Sequence, residues 1–204
     1  MLRRPLVTLS FSKQKSVTQA KSGSQVLVLG CLRSGESNTA PKAAKSLKEL
    51  NKAYEVLTKA AHFKAGLEST VYFPLVSPEA SGLESHTALL GLGLGESKDF
   101  TPQSIISLGG KLAAELNKLK IKSADVFVDS LYNPPSSVSS ADAAKDFAGR
   151  PLLFKVPTRE EFLELFATGI ALGLYTFDRY KSAAKKADKD AKDSLKITLV
   201  STVI

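Results

Sequence analysis

The tetrapeptide Val26-Leu27-Val28-Leu29 is apolar without a break. In an extended chain successive side chains point to opposite faces, so a strand of this kind is buried on both and needs a layer of structure above and below it. That demand points to a sheet sandwiched between helices, and the rest of the chain supplies the parts. Residues 6–11 (LVTLSF) alternate like a strand, 70–76 and 87–92 are further extended runs, 124–128 is a short one, and 195–203 (LKITLVSTV) is a last alternating one. Residues 77–82 (SPEASG) separate the middle pair with a Pro and Gly loop, leaving either a long hairpin or two parallel neighbours.

Three helices are predicted between them. Leu47, Leu50, Tyr54, Leu57 and Ala61 recur at helical spacing, with Lys45, Lys48, Lys52 and Lys59 on the other side. Thr101 as N-cap and Pro102 at the first helical position open a second helix with the stripe Ile105, Leu108, Leu112, Leu116 and Leu119. The third starts at the capping box Thr158-x-x-Glu161 and is expected to run to Lys181. It should bury Phe162, Phe166, Ile170 and Phe177, with Ala167, Gly169 and Gly173 letting a neighbour come close. The order β-β-α-β-β-α-β-α-β predicts an α/β, three-layer αβα sandwich on a mixed sheet. Residues 132–149 (YNPPSSVSSADAAKDFAG) read as a surface insertion.

With 204 residues, 43% of them apolar and 24% charged, the chain can bury one core as one domain. Residues 1–183 form its body; 184–204 are a charged linker and a final strand that packs on the same domain. The greasiest stretch, 166–174, is interrupted by Thr168, Gly169 and Gly173, and no run reaches the roughly 18 apolar residues that cross a bilayer, so no membrane is expected. The single cysteine, Cys31, cannot pair within the chain and suits a reducing compartment. No acid precedes Glu36, as in a mitochondrial presequence, yet a strand at residue 6 leaves too few residues for one. Cytoplasm is the expectation, mitochondrion the alternative.

The sharpest chemical pattern is Gly91-Leu92-Gly93-Leu94-Gly95, where Gly91, Gly93 and Gly95 are phosphate-loop candidates. A dinucleotide loop must open its helix directly, whereas the helix predicted next starts at Pro102, so a structural turn is the competing reading. His62 and His86 have no partners at metal-ligand spacing; Asp125, Asp129 and Asp142 are not clustered for a cation and are expected at the surface or in caps. Cys31, beside a buried strand, reads as a small hydrophobe. The net charge of +8 is spread along helices and interrupted by acids, and 181–192 lacks aromatics after Tyr180, so nucleic acid is not an expected partner. No catalytic or metal residue is assigned.

Three segments, in order, resemble the leucyl aminopeptidases, the di-zinc cytosol aminopeptidase family. Phe63-Lys64-Ala65-Gly66-Leu67-Glu68 is similar to its F-x-G-x-x-G-E passage before a strand, and Thr87-Ala88-Leu89-Leu90-Gly91-Leu92-Gly93 to its VLLVGLG strand. Gly169-Ile170-Ala171-Leu172-Gly173-Leu174-Tyr175-Thr176-Phe177-Asp178-Arg179-Tyr180-Lys181-Ser182 resembles its EG-x-x-L-x-x-Y-x-F-D-x-Y-K-S helix. Thr168 stands where the family has Glu, and Ala65 replaces a glycine.

The resemblance covers that family's amino-terminal domain only, and implies a macro-like fold for residues 1–183 ahead of a separate catalytic domain. In the family that second domain holds two metal ions, zinc or manganese, carries an NTDAEGR signature and assembles into hexamers. Nothing in this sequence matches it. The implied role is non-catalytic: support of oligomer assembly and of access to the parent enzyme's active site, with that catalytic domain and further copies of the chain as partners. Whether the chain belongs to an enzyme is left open. The alternative is a free-standing macro-like module for an ADP-ribose-type ligand at Gly91–Gly95 or for nucleic acid. The helical phase itself is testable: Phe166→Ala should cost about 3–5 kcal/mol and Lys185→Ala close to nothing, read as shifts in the urea midpoint.

Overall fold

The structure is a computed structural model that describes residues 7–13, 25–34, 37–39, 50–59, 62–75, 83, 86–96, 99–132, 157–175 and 195–201. Its strands are β1 (Val7–Lys13), β2 (Val26–Ser34), β3 (Ser37–Thr39), β4 (Thr70–Pro74), β5 (Ala88–Gly93), β6 (Ser123–Phe127) and β7 (Leu195–Ser201). The helices are α1 (Asn51–Thr58), α2 (Pro102–Lys118), the short α3 (Val128–Leu131) and α4 (Arg159–Gly173). The sheet runs β1-β7-β6-β2-β5-β4, with β3 paired to β2 off that path. Four neighbouring pairs are parallel and β4 lies antiparallel to β5, so the middle pair is a hairpin in a mixed sheet.

Strand β2 occupies the centre, held by β5 on one edge and β6 on the other. Val26 to Leu29 are all fully buried, and the alternation sends them to opposite sides. Val26 and Val28 join Leu90, Val126, Ile197 and Leu199 under α2 and α4. Leu27, Leu29 and Cys31 join Leu89 and Phe127 under Leu50, Tyr54 and Leu57 of the α1 layer. The three layers follow directly from these two half-cores, which share one strand.

Helix α2 begins as expected at Thr101, but its capping box is closed by Ser104: the Ser104 N–H donates to Thr101 Oγ1 (3.2 Å) and the Thr101 N–H to Ser104 Oγ (2.9 Å). It ends with Lys120 in the left-handed region (φ +55°), the Lys120 N–H on the Asn117 carbonyl and the Ile121 N–H on that of Leu116. Those two bonds are a Schellman stop, with Ile121 buried beneath it. In α4 the Thr158 and Glu161 box is formed, and Phe162, Phe166 and Ile170 are buried.

Several expectations need correction. The third helix ends at Gly173, not Lys181: the Leu174 N–H closes on Ile170, and the Tyr175 N–H reaches only three residues back to Leu172 (3.1 Å), tightening the last turn where a poor helix former sits. Tyr132, expected to open the surface insertion, instead packs against the core because its ring meets Phe100 and Phe162; the rest of that insertion, 133–149, lies outside the described residues, as do Phe177, Lys185, Leu47, Ala61 and the loop 77–82. Strand β2 runs five residues beyond Leu29 because its end pairs with β3, which polarity had hidden. Val128 leaves β6 to start α3, too short a helix to show a period.

Helices α2 and α4 touch through backbone. A methyl added at Gly169 would overlap the Ile106 carbonyl, and at Gly173 it would meet the Gly110 backbone, whereas at Gly110 its nearest neighbour is 3.5 Å away. Gly169→Ala should therefore destabilise by about 1–3 kcal/mol, and Gly110→Ala, with room and a better helix former, should stabilise by about 0.5–1 kcal/mol. Paired thermal melts check this, and equal effects would contradict the helix contact.

Candidate functional site

In an open α/β sheet the crevice for a ligand lies at the carboxyl ends of adjacent strands whose connections leave in opposite directions. Here those strands are β2, whose chain proceeds toward β5, and β6, whose chain proceeds toward β7. Helix α3 sits in that crevice. The Gly30 N–H donates to Ser130 Oγ (2.8 Å), Ser130 Oγ donates to the Phe127 carbonyl (2.7 Å), and Tyr54 Oη donates to the Gly30 carbonyl (2.9 Å). A Cβ on Gly30 would overlap the Ser130 carbonyl, so chain meets chain with no room for a methyl, let alone a phosphate. Burial pushes the Tyr54 hydroxyl well above its usual pKa, with Cys31 adding to the rise and Ser130 opposing it. Cys31 itself is fully buried and its thiol is pushed up to about 12 by desolvation, which fits the small-hydrophobe reading and removes thiolate chemistry at neutral pH.

The candidate glycines lie one strand over. Gly91 and Gly93 are within β5, and Gly95 follows with φ +71°. A side chain at Gly91 would press on Val71 (2.8 Å) and Leu57 (3.0 Å), and one at Gly93 would overlap Gly66 and Ser69. Their amides are engaged: the Gly93 N–H donates to the Ser69 carbonyl (2.7 Å) and the Gly95 N–H to the Ala65 carbonyl (3.0 Å). The Asp99 carboxylate accepts from the Glu96 N–H (2.8 Å), placing an acid beside the turn. The free amides and positive field that a phosphate loop requires are thus met by the chain's own groups.

The loop 63–69 that fills this space explains a departure noted in the sequence. Ala65 (φ +46°) and Glu68 (φ +62°) both occupy the left-handed region. Only glycine is unstrained there, and Ala65 is the position at which the similar passage has a glycine.

Two buried polar pairs were missed, because each joins residues far apart in the chain. Asp125 and Asp129, expected near the surface, are 3% and 1% exposed. Asp125 Oδ2 lies 3.2 Å from His86 Nε2, and His86 is fully buried with no partner on Nδ1. Asp129 Oδ1 accepts from Arg159 Nη2 and from Ser201 Oγ (3.0 Å), while Arg159 Nη2 also reaches Ser201 Oγ (2.7 Å). Desolvation lowers the Arg159 pKa and neighbouring Glu160 raises it. This triad pins the start of α4 to the ends of β6 and β7. Phe162 stacks on Phe100 and on Phe166, and Tyr132 meets Phe100 and Phe162 edge to face, at centroid distances of 5.6–5.9 Å. No group of three or more His, Cys, Asp or Glu among the described residues could hold a metal ion, so the donor set of a di-metal centre is not found there. Asp142 lies outside them, and His62 is exposed.

The model of the N-terminal domain of the cytosol aminopeptidase family matches residues 28–149. The chain belongs to the cytosol aminopeptidase family. Its resemblances to curated members are to the probable cytosol aminopeptidases of Rhizobium leguminosarum bv. trifolii (strain WSM2304), 30% identical over 72% of this chain and 24% of that protein, and of Rhizobium etli (strain CIAT 652), 28% identical over 94% and 31%. The chain thus spans about a quarter to a third of the length of these relatives. A solved structure, the bottromycin maturation enzyme BotP in complex with Mn, is similar over 86% of this chain and 26% of its own at 14% identity, with a TM-score of 0.45. That likeness is too loose to transfer any site. No helix among the described residues is long and apolar enough to cross a membrane.

Ser130 is the pin of the closed crevice. Ser130→Ala should cost about 1–3 kcal/mol, because it leaves the Gly30 N–H buried without an acceptor. An unchanged urea midpoint would show that the hydroxyl does not hold α3 in place.

Proposed function

We propose that this domain is the non-catalytic amino-terminal part of a cytoplasmic, metal-dependent aminopeptidase, where it supports oligomer assembly and shapes access to the active site of the catalytic domain. The observation that carries this reading is the coverage: the family model matched is that of the N-terminal domain, and the chain spans only 24% and 31% of its relatives. The closed crevice and the engaged amides of Gly93 and Gly95 support it too, since they favour a scaffold over a free-standing module for an ADP-ribose-type ligand. On this reading the metal ions, zinc or manganese, and the residues that release an N-terminal amino acid belong to the catalytic domain.

The test is a transplant. The chain alone, given zinc or manganese, should not hydrolyse a leucyl amide. The catalytic part of the Rhizobium etli relative should lose soluble assembly and activity when cut free, and regain both when this chain is fused ahead of it. A chimera no better than the bare catalytic part would refute the supporting role; metal-dependent turnover by the chain alone would refute the non-catalytic one.

A further inference from the structure

The two edges of the sheet are treated differently. Strand β4 closes one edge with five residues and ends on Pro74, which has no N–H to offer a neighbour. Strand β1 forms the other edge with seven residues, VTLSFSK, which include no proline, no glycine and no acid. Among the described residues nothing pairs with its outer side. Such an edge exposes a row of backbone donors and acceptors and is a template for another strand.

Its side chains are also divided by face. In the parallel register Leu9 is level with Ile197 and Phe11 with Leu199, residues of the core beneath α2 and α4. Leu9 and Phe11 carry that apolar face outward to the edge, where they are 39% and 59% exposed. On the opposite face Ser10 bonds Thr198 (3.2 Å), and the remaining residues there, Thr8 and Ser12, are hydroxylic.

We infer that β1 is a pairing surface for a second copy of this chain, joined antiparallel about a twofold axis through Ser10. An isologous contact requires a strand to complement itself, and β1 does. In that register Leu9 of each copy lies opposite Phe11 of the other, an aromatic with an aliphatic on one face, and Thr8 lies opposite Ser12 on the other. The strand's only charged residue, Lys13, falls opposite Val7 at either end of the ladder, which keeps the two Lys13 positions about 20 Å apart, so no like charges oppose. A parallel partner in register would instead place Lys13 against Lys13. A heterologous strand would need matching hydroxyl and apolar faces, which a second copy already has.

The inference deepens the assembly half of the proposed function, yet it rests on β1 alone and its test involves neither activity nor a catalytic domain. A single strand pair buries less than a standard interface, so a weak dimer is expected, one that grows in as the concentration is raised through a dilution series in sedimentation. Leu9→Lys combined with Phe11→Lys should leave a monomer with an unchanged far-UV spectrum, and Tyr72→Lys on the β4 edge should leave the dimer intact. A short bismaleimide should join Ser10→Cys chains to each other but not Thr8→Cys chains, whose two cysteines would be about 14 Å apart; Cys31 is buried and does not compete. A wild-type chain that stays monomeric throughout, or a dimer indifferent to the lysine pair, overturns the inference. Equal cross-linking at Ser10→Cys and Thr8→Cys overturns the register. A transplant that fails while β1 still pairs would count against the proposed function alone.

Discussion

From Val26 to Cys31, strand β2 has no side chain in water. Its side chains are shared between two half-cores, and its backbone is matched by β5 on one side and β6 on the other. A buried peptide group without a partner costs about as much as a lost hydrogen bond, so a strand in this position cannot be left half paired. The pairing accordingly continues past the regular ladder, with the Leu94 N–H on the Cys31 carbonyl (2.9 Å) and the Arg33 N–H on that of Gly95 (2.9 Å). Everything else in the domain is placed relative to this strand: α1 on one side of it, α2 and α4 on the other, and α3 across its carboxyl end.

That last placement separates a scaffold from a binding fold. A crevice at a switch point is open because the connections diverge, and it stays open only if nothing else enters it. Here a four-residue helix enters, and Gly30 is the residue that lets it, since any side chain would collide with the Ser130 carbonyl. The polar atoms buried by this closure are satisfied by Ser130 and Tyr54, so the plug has native hydrogen bonding and is no gap awaiting a ligand. At the neighbouring strand end the loop 63–69 does the same to Gly93 and Gly95. Both closures spend backbone amides on the protein's own oxygens.

The parts legible in the sequence were those written in short-range chemistry. Doubly buried β2, the capped starts of α2 and α4, and the stripe from Ile105 to Leu116 each follow from spacing or from a local hydrogen bond. What was lost is long-range. Asp125 and His86 are 39 residues apart, and Asp129 and Ser201 are 72, so nothing local marks them as partners. A lone aspartate reads as surface until the fold shows the cation that neutralises it. Helix α3 was invisible because one turn has no period, and the end of α4 because the apolar spacing continues in the sequence past Gly173, the poor helix former at which the last turn tightens. The phosphate-loop reading of Gly91, Gly93 and Gly95 needed the identity of the atoms above them, which come from loop 63–69 and strand β4.

Loop 63–69 also shows how this chain carries a strained backbone without glycine. Each left-handed residue other than glycine costs on the order of 1 kcal/mol, and Ala65 and Glu68 both sit there. The compensation is visible around them: the Ala65 carbonyl accepts from Gly95, the Glu68 N–H donates to the Gly93 carbonyl (3.0 Å), and Ala65 is fully buried. The loop is therefore over-determined by its contacts with the end of β5, which is the condition under which strain persists. In a ligand site such strain would be a lever held for the moment of binding. Here both sides of the contact are backbone of the same chain, with no space between them to take a ligand, so the strain is the cost of sealing the strand end. Both left-handed positions are held by residues other than glycine, and the hydrogen bonds to the end of β5 are what keep them there.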